Sequence, residues 1–318
     1  MSINGMNRHS GSQTITGQLS GRTITIPDAN PAPMPALAPP GVIHNGAKAE
    51  GFGEIDSARG YPDVRSFRRK FGLLIPATNT SMEHELWSII FNNQGTGGLD
   101  GVGLHTSNVI TPKPQLQTEK DLIEYKKQFL GGLTAAVDGA LLADPQYLIM
   151  GMSLEHIISG IDGIRAPMKD LETHSGLAWA TWHDAVEAAL NKFDAKRIGI
   201  MTPFDKIGNE SAARMFQDLG FEVVSSVGFS CANAVHIAHL PEWAKEKAIM
   251  ELLANETNDL DAIVQCGTNM SLINVSEKLE PVLGIPILGI NATTFWYALR
   301  ENGFANPLAG GGRLLRDF

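Results

Sequence analysis

The sequence predicts an α/β protein made of two pseudo-symmetric lobes, each a parallel sheet flanked by helices. Three observations carry this reading. From Ser66 onward, short apolar runs alternate with segments of helical spacing, the pattern of parallel strands joined by crossover helices. The alternation restarts near Arg197 and repeats the details of its first half. The length, 318 residues, suits about two domains at roughly 150 residues each.

The elements follow in order. Phe71–Pro76 reads as a buried strand and Ser81–Phe91 as an amphipathic helix, with Thr80 or Ser81 as its N-cap. Gly101–Val109 is a second strand. Leu122, Tyr125, Phe129, Leu133 and Val137 give 120–142 a helical face. Tyr147–Gly151 is a third strand, Leu177–Trp182 a fourth, and Asp184–Phe193 a helix. The second round gives strands at Arg197–Pro203, Phe221–Val227, Asp261–Cys266 and Ile285–Ile290. Between and after them come helices at Ser211–Leu219, Glu242–Ala254, Leu272–Leu279 and Ala292–Arg300. The predicted division is an N-terminal extension at 1–65, a first lobe at 66–182 and a second at 183–290. A C-terminal helix and tail at 291–318 is expected to pack back on the first lobe.

Residues 1–60 are a different material. They hold 6 of the 17 prolines and 9 of the 33 glycines, and their charges balance. The run Pro31–Pro40 cannot continue a helix or a central strand. The segment lacks the basic start and apolar core of a secretory signal. It reads as an extended or flexible tail, or as an arm that packs on a neighbouring subunit of a homo-oligomer. Thr23–Ile26 alternates as a short edge strand would.

Composition narrows the function. A net charge of −9, from 25 basic and 34 acidic residues with no basic block, argues against nucleic-acid binding, where phosphate neutralisation supplies most of the affinity. No apolar run approaches the ~20 residues of a membrane helix. Two cysteines, Cys231 and Cys266, exclude a disulfide framework and a cysteine-cluster metal site; a reducing cytoplasm is the simpler setting. Phosphate loops, dinucleotide fingerprints and His-Glu-x-x-His are missing from the sequence. Nothing in it demands a metal or an organic cofactor.

The two halves match at their strand ends. Pro76-Ala-Thr-Asn79 corresponds to Pro203-Phe-Asp205, and Met150-Gly-Met-Ser153 to Gln265-Cys-Gly-Thr268. Such a duplication faces strand C-termini across one cleft, where ligands of open α/β sheets bind. Cys266 would sit there beside a helix N-terminus, whose unpaired amides favour a thiolate and can hold an oxyanion. Asn79, with Thr78, offers a donor and an acceptor to a carboxylate or caps the following helix. Ser153 and Thr268 carry the same two readings. Glu155 and His156 follow Ser153 as an acid or base, or as first-turn dipole partners of a helix. Cys231 lies outside a strand end and reads as structural.

These motifs are specific enough for a resemblance. From about Arg69 to Arg316 the chain resembles the aspartate/glutamate racemase superfamily, in the branch with arylmalonate decarboxylase and maleate cis-trans isomerase. Pro76-Ala-Thr-Asn-Thr-Ser-Met-Glu-His-Glu85 is similar to the isomerase opening, which implies that Asn79 binds a substrate carboxylate. Gln265-Cys-Gly-Thr-Asn-Met-Ser-Leu272, Leu283-Gly-Ile-Pro-Ile-Leu288 and Phe295-Trp296 are closer to the decarboxylase, which implies that Cys266 is a proton donor. Racemases and the isomerase carry a cysteine on each wall; here Gly151 stands at the first-wall position, as in the decarboxylase. Two hydroxyls of the relatives are missing, at Met152 (threonine in the decarboxylase) and Phe204 (tyrosine in both). One such donor typically contributes ~2.7–4 kcal/mol to the transition state. Ser153, Asn79, Gly267 and Thr268 remain, with Glu155 or His156 to rebuild the site. The resemblance implies a cofactor-independent enzyme acting on a small carboxylate through an enediolate, foremost a decarboxylase. A maleate isomerase or racemase using Cys266 as nucleophile, and a non-catalytic carboxylate binder, are the alternatives.

Overall fold

The computed structural model describes residues 13–26, 63–110, 119–155, 158, 160–254 and 259–318. A hairpin comes first, β1 (Gln13–Thr16) antiparallel to β2 (Thr23–Ile26). The first lobe holds β3 (Arg69–Pro76), α1 (Met82–Asn92), β4 (Val102–Val109), α2 (Glu119–Leu141), β5 (Tyr147–Met150), α3 (Ile161–Ser175), β6 (Trp179–Ala180) and α4 (Trp182–Lys192). The second holds β7 (Arg197–Thr202), α5 (Lys206–Asp218), β8 (Glu222–Gly228), α6 (Ala234–Ile237), α7 (Glu242–Lys247), β9 (Ala262–Gln265), α8 (Ile273–Leu283) and β10 (Ile287–Gly289). Then come α9 (Ile290–Glu301) and α10 (Arg313–Asp317).

Both four-stranded sheets are parallel, ordered β4-β3-β5-β6 and β8-β7-β9-β10. In chain order each therefore reads second, first, third, fourth, so the duplication seen in the motifs is a duplication of topology. The central strands are buried on both faces: Phe71, Leu73 and Leu74 of β3 and all of β5 are covered. That explains their continuous apolar runs.

Several elements differ from the sequence reading. Helix α3 has no counterpart in the sequence reading, and it carries Gly163 and Pro167 in its interior, residues that disfavour a helix. Ile161, Ile164, Met168 and Leu171 bury one face of it, and tertiary packing prevails. Helix α4 starts earlier than expected because Thr181 caps it, accepting from the Asp184 amide. Helix α5 starts at Lys206, capped by Asp205 through the Gly208 amide. The fourth strand shrinks to two residues, and α7 passes into a π-turn at Ala248–Leu253. Residues 13–26 of the expected tail form a hairpin docked on this chain's own α9: Glu301 accepts from Leu19 N, Ser20 N and Ser20 Oγ at 3.0, 3.1 and 2.7 Å. The Pro31–Pro40 run lies outside the described residues.

Every residue of α9 is buried. It packs on α1, α4, β5 and β6, while its N-terminus continues directly from β10. One chain segment thus ties the second sheet to the first lobe. A second tie is polar. Glu85 of α1, 1% exposed, accepts from Ser271 Oγ (2.5 Å), Leu272 N (2.8 Å), Ile273 N (3.1 Å) and Asn291 Nδ2 (2.6 Å). A carboxylate of the first lobe is therefore the N-terminal cap of α8 in the second. Lys245 reinforces the same loop by donating to Ser271 O.

Replacing Glu85 by alanine strands two amides and two side-chain donors in the interior. Each unsatisfied buried group costs ~1–3 kcal/mol, with partial relaxation. We expect Glu85→Ala to lose about 3–5 kcal/mol in urea unfolding, the range for breaking a buried charge network. A loss below about 1 kcal/mol would show that the cap does not hold the lobes.

Candidate active site

The strand ends of the two sheets meet in a hydrogen-bonded seam. Asn79, just past β3, donates from Nδ2 to Thr268 Oγ1 at 2.8 Å. Its Oδ1 accepts from Ser81 N and Met82 N, so Asn79 itself caps α1. The expected caps do not: Ser81 makes no capping bond, and its Oγ donates across the seam to Asn269 O. Thr268 Oγ1 donates to Gly151 O at 2.9 Å, and Gly267 N donates to Ser153 Oγ at 3.0 Å. Asn269 reaches back, accepting from Thr80 N and donating to Thr78 O and Ala234 O. Cys266 follows β9 directly, with its amide donating to Met201 O. Gln265 Nε2 braces the turn by donating to Cys266 O and Gly267 O.

The structure thus brings together Asn79, Thr78, Gly151, Ser153, Gly267, Thr268 and Cys266. Glu155 joins them, fully buried beside the thiol. Phe204 is half-buried on the same rim, after β7, and Met152 turns into the interior. His156 lies outside the described residues. Cys231, expected to be structural, is half-buried in a loop. Asn79, Ser153 and Thr268 are all under a tenth exposed. On the outer side, an open hollow of about 440 Å³ lined by Asn79, Thr80, Glu83, His84, Trp87 and Phe91 reaches the seam.

Three expectations are corrected. The α8 amides foreseen as thiolate stabilisers belong to Glu85, and the Gly267 amide belongs to Ser153. Cys266 is accordingly no thiolate at rest: burial first, then the Glu155 carboxyl, push its thiol well above the usual range. Neither Ser153 nor Glu155 opens a helix, since α3 begins only at Ile161. That removes the helix-dipole reading of Glu155. Burial pushes its carboxyl up to about 7, and its Oε1 has no hydrogen-bond partner among the described residues.

The backbone around the thiol demands glycine twice. Gly267 has φ +94°, and an added Cβ would lie 2.5 Å from Pro203 Cγ. At Gly151 a Cβ would meet Ile75 Cγ2 at 2.5 Å, Leu74 O at 2.6 Å and Met82 Sδ at 2.9 Å. The first wall therefore has no room for a second cysteine at 151 unless the β3 backbone shifts.

Sequence reasoning missed Asn269, Trp182, His183 and Glu85. Asn269 had a signal: Thr78-Asn79-Thr-Ser81 and Thr268-Asn-Met-Ser271 are the same Thr-Asn-x-Ser pattern, one after β3 and one after β9. Trp182 and His183 had none, because β6 and the start of α4 carry them to Glu155 only in three dimensions. They line, with Glu155, Thr181, Met152, Leu154 and other apolar side chains, an internal cavity of about 10 Å³.

Between pH 4.5 and about 7, the folded chain holds a proton at Glu155 that the unfolded chain has released. Stability from this group is thus full below pH 4.5 and is lost as pH rises through 7. We expect wild type to lose about 3 kcal/mol relative to Glu155→Gln between pH 4.5 and 8. Paired urea titrations check this, and a pH-independent difference would contradict the buried, protonated carboxyl.

Known proteins fit this geometry. The arylmalonate decarboxylase family model matches residues 145–315. A maleate isomerase of Nocardia farcinica (strain IFM 10152) is 21% identical over 254 residues, covering 78% of this chain and 96% of its own. The maleate isomerase of Pseudomonas putida S16, solved as a cysteine-to-alanine variant with maleate, superposes with a TM-score of 0.68 at 19% identity, over 78% of this chain and 97% of its own. The N. farcinica cis-trans isomerase, solved as a cysteine-to-serine mutant with a covalently bound succinylcysteine intermediate, gives 0.66 at 19% identity, over 79% and 99%. Arylmalonate decarboxylase itself gives 0.59 at 16% identity, over 77% and 98%. With a family model spanning more than half of its length and the two-lobe fold of these enzymes, the chain belongs to the arylmalonate decarboxylase family, within the aspartate/glutamate racemase superfamily.

Proposed function

We propose that this protein is a cofactor-independent decarboxylase of a substituted malonate, with Cys266 as the single proton donor. One observation carries the reading: the seam holds one thiol, protonated at rest, opposite a glycine, Gly151, where a second cysteine would need the β3 backbone to shift. Decarboxylation needs one acid on one face, whereas two-base racemisation needs a group on each.

In this reading, Asn79 and Thr268 release each other to take the substrate's carboxylates. The C–CO₂ bond breaks and its electron pair passes into an enediolate, held by hydroxyl and amide donors from Thr268, Ser153 and Asn79. The Cys266 thiol then protonates the carbon, on the face turned towards β9. Burial lowers the local dielectric and strengthens each of these contacts.

Isomerisation of a maleate-like diacid is the second reading, favoured by the N. farcinica and P. putida relatives. The N. farcinica isomerase forms its succinylcysteine although one cysteine is serine, so another thiol carries the adduct in that protein. This chain offers no second thiol at Gly151, and a nucleophile must be a thiolate, which Cys266 is not at rest.

Proton NMR in D₂O with phenylmalonate and with maleate separates the readings. We expect CO₂ loss with one deuteron placed on the product carbon, and a fall of at least about 10²-fold in Cys266→Ser, the usual scale for a lost general acid. Maleate conversion by wild type without any malonate turnover would overturn the decarboxylase reading. Full turnover in Cys266→Ser would overturn both.

A further inference from the structure

A one-thiol decarboxylase leaves its acid spent. Once Cys266 has given its proton to carbon it is a thiolate, completely buried, and each turnover must return one proton from solvent. The seam itself supplies none: Asn79, Thr268, Ser153 and the Gly267 amide are neutral at rest and bonded to one another.

Behind the thiol the chemistry differs. Glu155 stands beside Cys266 and Ser153, with Oε1 unpartnered among the described residues. Glu155 lines the internal cavity of about 10 Å³, enough for about one water molecule. The cavity's other polar walls are Thr181, His183 and Trp182, whose indole nitrogen also lacks a hydrogen bond of normal geometry despite facing the thiol. From α3 and α5 only Ile164, Met168 and Met215 reach it, so among the described residues Cys266 and His183 are the titratable groups facing Glu155. His183 Nε2 lies 3.3 Å from Thr181 Oγ1 and 3.8 Å from Asp184 Oδ2, and the Asp184 side chain is 22% exposed. Burial is the main influence on His183 and lowers its pKa, leaving it neutral and able to accept on one ring nitrogen while donating from the other.

We propose that Glu155 reloads the Cys266 thiol after each turnover, drawing its own proton through the cavity it shares with His183. This rests on the reading of Cys266 as proton donor. The Glu155 O–H proton passes to the thiolate, re-forming Sγ–H and leaving a carboxylate. A solvent proton then enters by way of Asp184, His183 and the cavity to restore the carboxylic acid. One proton is consumed for each CO₂ released, and no oxidant or cofactor enters. The direction is downhill, because the thiol holds its proton far more tightly than the carboxyl beside it. Glu155 acts through Cys266 and needs no contact with substrate.

The test separates the chemical step from the reload. With phenylmalonate and enzyme in excess, Glu155→Gln is expected to keep the wild-type single-turnover rate within about 3-fold, while steady-state kcat falls by about 10²-fold or more, the scale of a lost proton-transfer group. His183→Gln should show the same split in milder form. A steady-state rate within about 2-fold of wild type in Glu155→Gln, or equal losses in both regimes, would overturn the relay; an unchanged kcat in His183→Gln would overturn the cavity route. An infrared titration needs no turnover: a carboxylic-acid band should vanish in Glu155→Gln and change its midpoint in Cys266→Ser. A band that ignores Cys266 overturns the pairing whatever the substrate. A band that responds, in an enzyme that decarboxylates no malonate, places the failure in the functional reading and removes the relay with it.

Discussion

The site depends on one buried carboxylate. Glu85 leaves α1 of the first lobe and closes the N-terminus of α8 in the second. The loop that it holds, Cys266 to Leu272, carries the thiol, Thr268 and Asn269. Fixing the end of that loop from the opposite lobe sets the seam's geometry without any group of the seam having to supply the rigidity. It also decides the chemistry of Cys266. A free helix N-terminus would pull a thiol towards thiolate; a helix already capped by a carboxylate cannot.

The clasp between the lobes comes from a repeated motif, not from the repeat of topology, which matches β3 with β7 and β5 with β9. Asn79 bonds Thr268, and Asn269 bonds Thr78, so the two Thr-Asn pairs clasp each other across the seam. Each asparagine satisfies a group on the other wall. Opening the seam for a carboxylate exchanges neutral hydrogen bonds for charge-assisted ones, which are roughly twice as strong. Both walls thus carry a Thr-Asn pair, and only one carries a thiol.

The sequence carried the fold where burial is two-sided. Strands β3, β5, β7 and β9 read directly as apolar runs, and the placement of Cys266 after β9 followed from the same pattern. It failed where tertiary contact overrides local signals, as at α3, which contains Pro167 yet buries four apolar side chains, and at β6, which pairs over only two residues. The site was legible as a set of residues, Asn79, Ser153, Thr268 and Cys266, because strand ends are local features. The state of its acid was not. Whether a thiol after a strand becomes thiolate or stays protonated depends on which groups the other lobe brings, here Glu85 on the helix amides and Glu155 on the sulfur.

That dependence gives the missing hydroxyls at Met152 and Phe204 a different meaning. In the proposed decarboxylation, an oxyanion site short of donors stabilises a bare enediolate less well, so prompt protonation of the carbon matters more. A thiol kept protonated by burial, backed by a carboxyl that titrates near neutrality, shortens the life of the anion instead of deepening its well. Met152 supports the same arrangement: its side chain lines the cavity beside Glu155 and adds to the burial that raises that carboxyl. A threonine there would put a hydroxyl on the cavity wall and ease the desolvation that holds the Glu155 proton.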